Sequence, residues 1–278
     1  MAKAGSSERP DWPLAVVVGA GGLGMVVARR LGLSHRLLIA DRDAQLAEQH
    51  CADLRSQGYD AIAIACDVTS PSDIAALADA ASAQGNVRTL AHVVGLSPAA
   101  KDFTAIMAVN LVGAASVAQS FLDVLEPGGA GIFISSSAAH MQDVPAALLP
   151  LLDDPLRPDF IAALAAELGA EANANQAYSL SKAALNRMCR RLAPAWGKRG
   201  LRIVSLSPGL IASPQGAESY KHSAGKMALL EAAPLGRECS MLEIAGVAAF
   251  LASDQASYIT GTDILVDGGL IAAVRPGS

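Results

Sequence analysis

Tyr178-Ser179-Leu180-Ser181-Lys182 sets a phenol and an ammonium four residues apart, a spacing that puts both on one face of a helix. A free phenol, with a pKa of about 10, is a sluggish base at neutral pH. An ammonium about 5 Å away, at an effective dielectric of ~20, stabilises the phenolate by roughly 3 kcal/mol, a little over two pKa units. That brings the phenol toward the range useful for general acid–base catalysis, while burial works against the shift. Y-x-x-x-K is common by chance, so its weight depends on what else the chain carries.

The companion feature lies near the start. Gly19-Ala20-Gly21-Gly22-Leu23-Gly24 fits G-x-G-x-x-G, directly after a strand-like run and at the head of an apolar helical stretch, Met25–Leu33. Glycines let the backbone turn tightly and approach a pyrophosphate, and the helix start offers free N–H groups and a positive dipole end. Asp41, about twenty residues on, closes the second strand where an acid accepts bonds from ribose hydroxyls. A carboxylate there repels a 2′-phosphate, which favours NAD. Arg42 beside it keeps NADP possible. The positive ring of an oxidised nicotinamide would then help Lys182 to favour the phenolate.

These groups need a scaffold, and the pattern of apolar runs supplies one. Strands are expected at Leu14–Val18, Leu37–Ala40, Ala61–Ala65, Leu90–Val94, Gly131–Ser135, Arg202–Leu206 and Asp263–Val266. Runs such as Val16-Val17-Val18 suit strands covered on both faces, as in a parallel sheet. Helical segments alternate with them. Ser70-Pro71-Ser72-Asp73 and Ser240-Met241-Leu242-Glu243 are helix-start signals. The expectation is an α/β protein: a single Rossmann-like doubly wound domain over 13–278, behind a loose leader at 1–12. Its seven-stranded parallel sheet carries helices on both faces, in the order 3-2-1-4-5-6-7. The rhythm breaks at about 141–173, where Pro145, Pro150, Pro155 and Pro158 precede a helical stretch, Phe160–Glu171. A long insertion of this kind is read as a lid over the substrate.

Composition narrows the function classes. Apolar residues make up 52% and the net charge is only −5, which excludes a mainly disordered chain. Lys and Arg number 21 against 26 Asp and Glu, with no basic run, so nucleic acid is not an expected partner. The signal-like stretch Leu14–Ala28 is interrupted by four glycines. Phe103–Leu122 could span a bilayer by length but carries Asn110, Ser116, Gln119 and Ser120, which suits a buried helix better. No membrane association and a cytoplasmic location are expected. Cys51, Cys66, Cys189 and Cys239 lack paired or ligand-like spacing, and His35, His50 and His222 stand apart, so no metal is called for. His140 is read as a hydrogen-bonded structural residue, and Asp153-Asp154 as a solvated turn.

In their joint order, several short elements carry a resemblance. They are the Gly loop, Asp41, Cys66-Asp67-Val68, Val109-Asn110, Ile134-Ser135-Ser136, Tyr178 with Lys182, Ser207-Pro208-Gly209, Ile259-Thr260-Gly261 and Val266-Asp267-Gly268-Gly269. Over about residues 13–270 the chain resembles the short-chain dehydrogenase/reductase family. The resemblance implies reversible hydride transfer between NAD(H) and a secondary alcohol or ketone. By it, Asp67 and Val68 would contact adenine, and Gly95 would line the cofactor. Asn110 would anchor a water of the proton relay. Ser136 would bond the substrate oxygen, with Ser137 as the alternative. Tyr178 would transfer the proton, and Lys182 would hold the nicotinamide ribose. Pro208 and Gly209 would flank the nicotinamide, with Ile211 and Ser213 on its carboxamide. It also implies a homotetramer or homodimer.

The chain departs from the family pattern in four places, one of them the long separation of Ser136 from Tyr178 that the insertion at 141–173 creates. The Gly loop is one residue shorter than usual. The usual N-N-A-G reads His92-Val93-Val94-Gly95, and the step from Gly95 to Asn110 is short. The insertion resembles the extra segment of some bacterial hydroxysteroid dehydrogenase/carbonyl reductase members. Its Leu148, Leu149, Leu151, Leu152 and Phe160 suggest a small apolar alcohol or ketone. The rival readings are a catalytically silent dinucleotide sensor, since a fold alone does not decide function, and an epimerase or dehydratase using the same Tyr–Lys pair.

Overall fold

The computed structural model describes residues 12–212 and 224–276, so Ser213, His222 and all of the leader except Trp12 lie outside the described residues. Seven strands form one parallel sheet: β1 Leu14–Val18, β2 Arg36–Asp41, β3 Ala61–Ala65, β4 Val87–His92, β5 Ala130–Ile134, β6 Arg202–Pro208 and β7 Asp263–Val266. Their order is β3-β2-β1-β4-β5-β6-β7, as expected. β1 and β5 are buried throughout, which is why they are written in unbroken apolar residues.

The helices are α1 Gly22–Leu31, α2 Ala44–Ser56, α3 Pro71–Gln84, α4 Phe103–Phe121, α5 Leu149–Leu152, α6 Phe160–Leu168, α7 Ala174–Lys198, α8 Ala224–Ala232, α9 Met241–Ala252 and α10 Leu270–Val274. Each sheet face packs one apolar layer. Residues of α1, α2 and α9 meet Val17, Ile39, Ile132 and Val204, whereas α3, α4 and α7 meet Val16, Leu38, Leu90 and Phe133. This alternation along each strand is the period-two pattern of a doubly covered sheet. Both expected helix starts form. Ser70 accepts from the Asp73 N–H, and Ser240 with Glu243 makes a reciprocal capping box.

β4 sits further toward the N-terminus than the sequence pattern predicts. Val93 and Val94 look like strand residues, but both their N–H groups bond the single carbonyl of Val18 and the ladder ends there. The start of β4 hides behind Arg88 and Thr89, which are polar yet lie in the sheet.

The insertion packs along the α4/α7 face. Leu148, Leu152, Phe160 and Leu164 are buried with Ile106, Met107, Leu111, Leu180 and Ala184. Its leucines and phenylalanine at these positions are therefore helix-packing residues, and they carry no information about the polarity of a substrate. Asp153 is no solvated turn. Its carboxylate accepts from Arg187 Nε and Nη2 at 3.1 and 2.8 Å, a two-pronged clamp onto α7.

The glycine turn joins β1 to α1 at very close quarters. Gly19 has φ +106°, and a Cβ on Gly24 would lie 1.8 Å from the Gly19 carbonyl oxygen. Gly246, inside α9, has open space around the same position. Gly24→Ala is therefore expected to lower stability by about 3 kcal/mol, and Gly246→Ala to raise it by about 0.5–1 kcal/mol. Urea unfolding of the ligand-free protein measures both, and equal shifts would contradict the packing assigned to the turn.

Candidate active site

The sequence elements converge at the carboxyl ends of the strands, where α/β sheets open their ligand crevice. At its centre is the start of α1. The N-cap residue Gly21 offers no side-chain cap and the first turn has no acid, so the N–H groups of Gly22 and Leu23 face outward without intrahelical acceptors. A Cβ on Gly21 would meet nothing within 4 Å, so the space above the turn is open. Asp41 closes one side. Its Oδ2 accepts from the Ala20 N–H at 2.7 Å and its Oδ1 from the Asp43 N–H at 3.0 Å. One carboxylate thus ties the glycine turn to the end of β2, and its remaining lone pairs are free for hydroxyl donors. Arg42 is exposed beside it.

Further along the edge, Asp67 accepts from both the N–H and the hydroxyl of Thr69, which shapes the turn after β3. Val68 is buried against Gly113 of α4. Pro208 ends β6, and Gly209 lies so close to Asp267 that a Cβ would come within 2.7 Å of its Cα. Ile211 follows in a two-residue strand pairing with Cys239.

Asn110 reaches this crevice despite the short step from Gly95. It sits in a π-helical turn, Ala108–Gly113, in the middle of α4. Its side chain clamps the backbone of Leu96, with Oδ1 accepting from N–H at 2.7 Å and Nδ2 donating to C=O at 2.9 Å. Asn110 and Lys182 both close on Gly95, each within 3.4 Å of where a Cβ would stand. The amide is used on both ends, so it braces the loop after β4.

Among the three serines, Ser135 and Ser137 are buried. Ser135 donates to the Lys182 carbonyl at 3.1 Å, holding α7 to β5. Ser136 caps the 3-10 turn Ser137–His140, its Oγ accepting from the Ala138 N–H at 3.1 Å, and it is the serine that hydrogen-bonds Tyr178. The alternative, Ser137, is buried as the first residue of that turn.

The electrostatics of Tyr178 and Lys182 correct the expectation. Lys182 Nζ lies 6.0 Å from the phenol ring centroid and donates to the Ile134 carbonyl at 2.8 Å. Burial lowers its pKa from 10.5 to about 8. Burial also pushes the Tyr178 phenol above its ordinary value, opposed only by the Ser136 bond. In the protein alone, desolvation therefore decides the direction for both groups, toward their neutral forms. His92, at the end of β4, is stacked on Phe133 and driven down to about 3 by burial and by Lys182, so it stays neutral.

Comparison with known proteins places this geometry. Residues 13–147 match the family described as short chain dehydrogenase, and residues 160–271 match enoyl-(acyl carrier protein) reductase. A short-chain dehydrogenase/reductase of Alternaria brassicicola, bsc3, is 32% identical over 263 residues, covering 92% of this chain and 95% of the relative. The chain belongs to the short-chain dehydrogenase/reductase family. A 3-alpha-hydroxysteroid dehydrogenase/carbonyl reductase of Comamonas testosteroni is 32% identical, over 73% of this chain and 86% of its own. The crystal structure of gox2181 superposes with TM-score 0.77 at 25% identity, covering 94% and 96% of the two chains.

As a short-chain dehydrogenase/reductase, the protein is an oxidoreductase acting on CH–OH groups, in a family that binds NAD(P). The open glycine turn, the free first-turn N–H groups, Asp41 and the two remaining donors of Lys182 fit such a dinucleotide. Sequence reading missed the Ile134 carbonyl under Lys182 and the Leu96 clamp of Asn110. Backbone partners have no side-chain signature, and only the i, i+4 step from Tyr178 to Lys182 hinted at the first.

The Lys182 environment has a measurable consequence. Its folded pKa lies below the unfolded value, so the fold binds fewer protons between about pH 8 and 10.5, and this group's contribution to stability rises with pH across that window. Lys182→Met is expected to stabilise the ligand-free protein at pH 7 by roughly 2–3 kcal/mol, with the advantage fading toward about pH 10.5. Urea unfolding at both pH values measures it, and a pH-independent difference would contradict the buried ammonium.

Proposed function

We propose that the protein interconverts a secondary alcohol and a ketone with NAD(H), using Tyr178 as the proton donor and acceptor. The observation that carries this reading is the meeting of Ser136, Tyr178 and Lys182 beside the open glycine turn. When bound, the nicotinamide gives or takes the hydride. The protein's part is position and charge. Ser136 receives the Ala138 N–H on its oxygen, so its own proton is free to point at the phenol or at a substrate oxygen. Tyr178 gives its proton to the ketone oxygen in reduction and takes it back in oxidation. Lys182 keeps one N–H on Ile134 and has two for ribose hydroxyls, and its charge favours the phenolate once the crevice is filled. Asn110 holds the floor of the relay through Leu96.

Asp41 supports NAD over NADP, because a carboxylate at the end of β2 accepts from ribose hydroxyls and repels a 2′-phosphate, whereas Arg42, exposed beside it, is the residue that would admit NADP. An apolar substrate is supported by the hydroxysteroid dehydrogenase/carbonyl reductase relative at 32% identity. A silent dinucleotide sensor is disfavoured, since a pure sensor has no use for a buried lysine held at a cost in stability beside a tyrosine.

Tyr178→Phe is expected to lower kcat by about 10²–10⁴-fold while the NADH Kd stays within about twofold, read by absorbance of the reduced nicotinamide and by fluorescence titration. Turnover unimpaired in that variant overturns the mechanism. The wild-type protein is expected to bind NADH more tightly than NADPH, and a preference for NADPH of about tenfold would reverse the role given to Asp41.

A further inference from the structure

Asp263, the first residue of β7, has a side chain only 2% exposed. A carboxylate buried so deeply requires donors on both oxygens. Ser207 Oγ donates to Oδ1 at 2.9 Å, and His140 Nε2 donates to Oδ2 at 2.8 Å. Because a carboxylate only accepts, the partner nitrogen of His140 must carry its hydrogen. His140 is fixed from the other side as well, since its backbone carbonyl accepts from Arg275 Nη1 at 3.1 Å. Asn186 Nδ2, one helical turn beyond Lys182, donates to Ser207 Oγ at 3.4 Å. The cluster therefore joins β7, the end of β6 just before Pro208-Gly209, the face of α7 that carries Tyr178 and Lys182, and the chain near Arg275.

His140 is the last residue of the 3-10 turn that Ser136 caps. The turn's own bonds are local: Ala138 N–H to Ser136 Oγ, Ala139 N–H to the Ser136 carbonyl at 3.0 Å, and Met141 N–H to the Ala138 carbonyl at 3.4 Å. A single 3-10 turn has poor hydrogen-bond geometry and does not persist by itself. If its far end is released, the Ala138 N–H no longer holds the Ser136 oxygen, and the hydroxyl loses its fixed direction toward Tyr178. We infer that the His140–Asp263 pair is a positioning device for Ser136, which anchors the turn so that the serine hydroxyl stays aimed at the phenol and the substrate oxygen.

This inference rests on the reaction proposed above, so its test needs a reading that does not depend on turnover. His140→Ala removes the anchor, and His140→Gln retains an N–H that reaches the carboxylate. Three quantities are measured for each with the full chain: kcat on a ketone, the NADH Kd, and hydrogen–deuterium exchange of residues 136–141. In His140→Ala, kcat is expected to fall about tenfold, the NADH Kd to stay within about twofold, and exchange of the segment to accelerate. In His140→Gln, kcat is expected to recover to within about threefold of wild type, with exchange slowed again.

Exchange unchanged in His140→Ala, or kcat in that variant within about twofold of wild type, overturns the inference. So does a proportional loss of NADH binding and turnover in both variants, which would make the pair a general brace of the fold. A wild-type protein that reduces no ketone with either nicotinamide cofactor defeats the proposed reaction instead, and the exchange of the two variants still decides the anchor.

Discussion

Lys182 carries its ammonium into the end of the sheet with one hydrogen bond, to the carbonyl of Ile134, and next to a phenol that burial also drives toward neutrality. Removing water from both groups disfavours both charged forms. Burial therefore holds the ligand-free crevice away from the ionisation state that proton transfer needs, and a positive nicotinamide ring, when bound, would favour the phenolate. Such a site is less stable than an apolar one of the same shape, in keeping with the tension between stability and activity seen at buried polar centres.

The fold supplies the rigidity this arrangement requires. Tyr178, Lys182 and Asn186 succeed one another at four-residue steps on one face of α7, and each meets a different support: Ser136 after β5, Ile134 in β5, and Ser207 in β6. The insertion braces the outer side of α7 through Asp153 and its apolar residues, leaving the inner side to the chemistry. The π-helical turn in α4 carries Asn110 to the loop after β4, where the family's two usual amide-bearing residues are replaced by His92 and Val93. Neutral His92 fills that space by stacking on Phe133.

Much of this could be read in the chain itself. Doubly covered strands advertise themselves by continuous apolar runs, so the sheet and its order followed from β1, β3 and β7, whose limits match the sequence pattern residue for residue. The glycine turn, Asp41 and the Tyr–Lys step were legible because each depends on residue type at fixed spacing. Four things were not. The start of β4 is polar by composition and is placed by its pairing with β1 and β5. The leucines at 148 and 152 look the same in a sequence whether they face a substrate or a helix. The pairing of His140 with Asp263 spans 123 residues, a separation no local pattern encodes. The balance of burial against charge at Tyr178 also needed coordinates, since it depends on how much water the crevice excludes.

The ionisation of Tyr178 itself is the most direct measurement, taken as the phenolate absorbance of wild type minus that of Tyr178→Phe across pH, with and without oxidised dinucleotide. Without it, Tyr178 is expected to titrate above the ordinary phenol value of about 10, and with it, about two units or more below that titration point. A midpoint already below the ordinary value in the ligand-free protein, or one that the dinucleotide leaves unmoved, would contradict a proton-transfer site switched on by charge in a desolvated crevice.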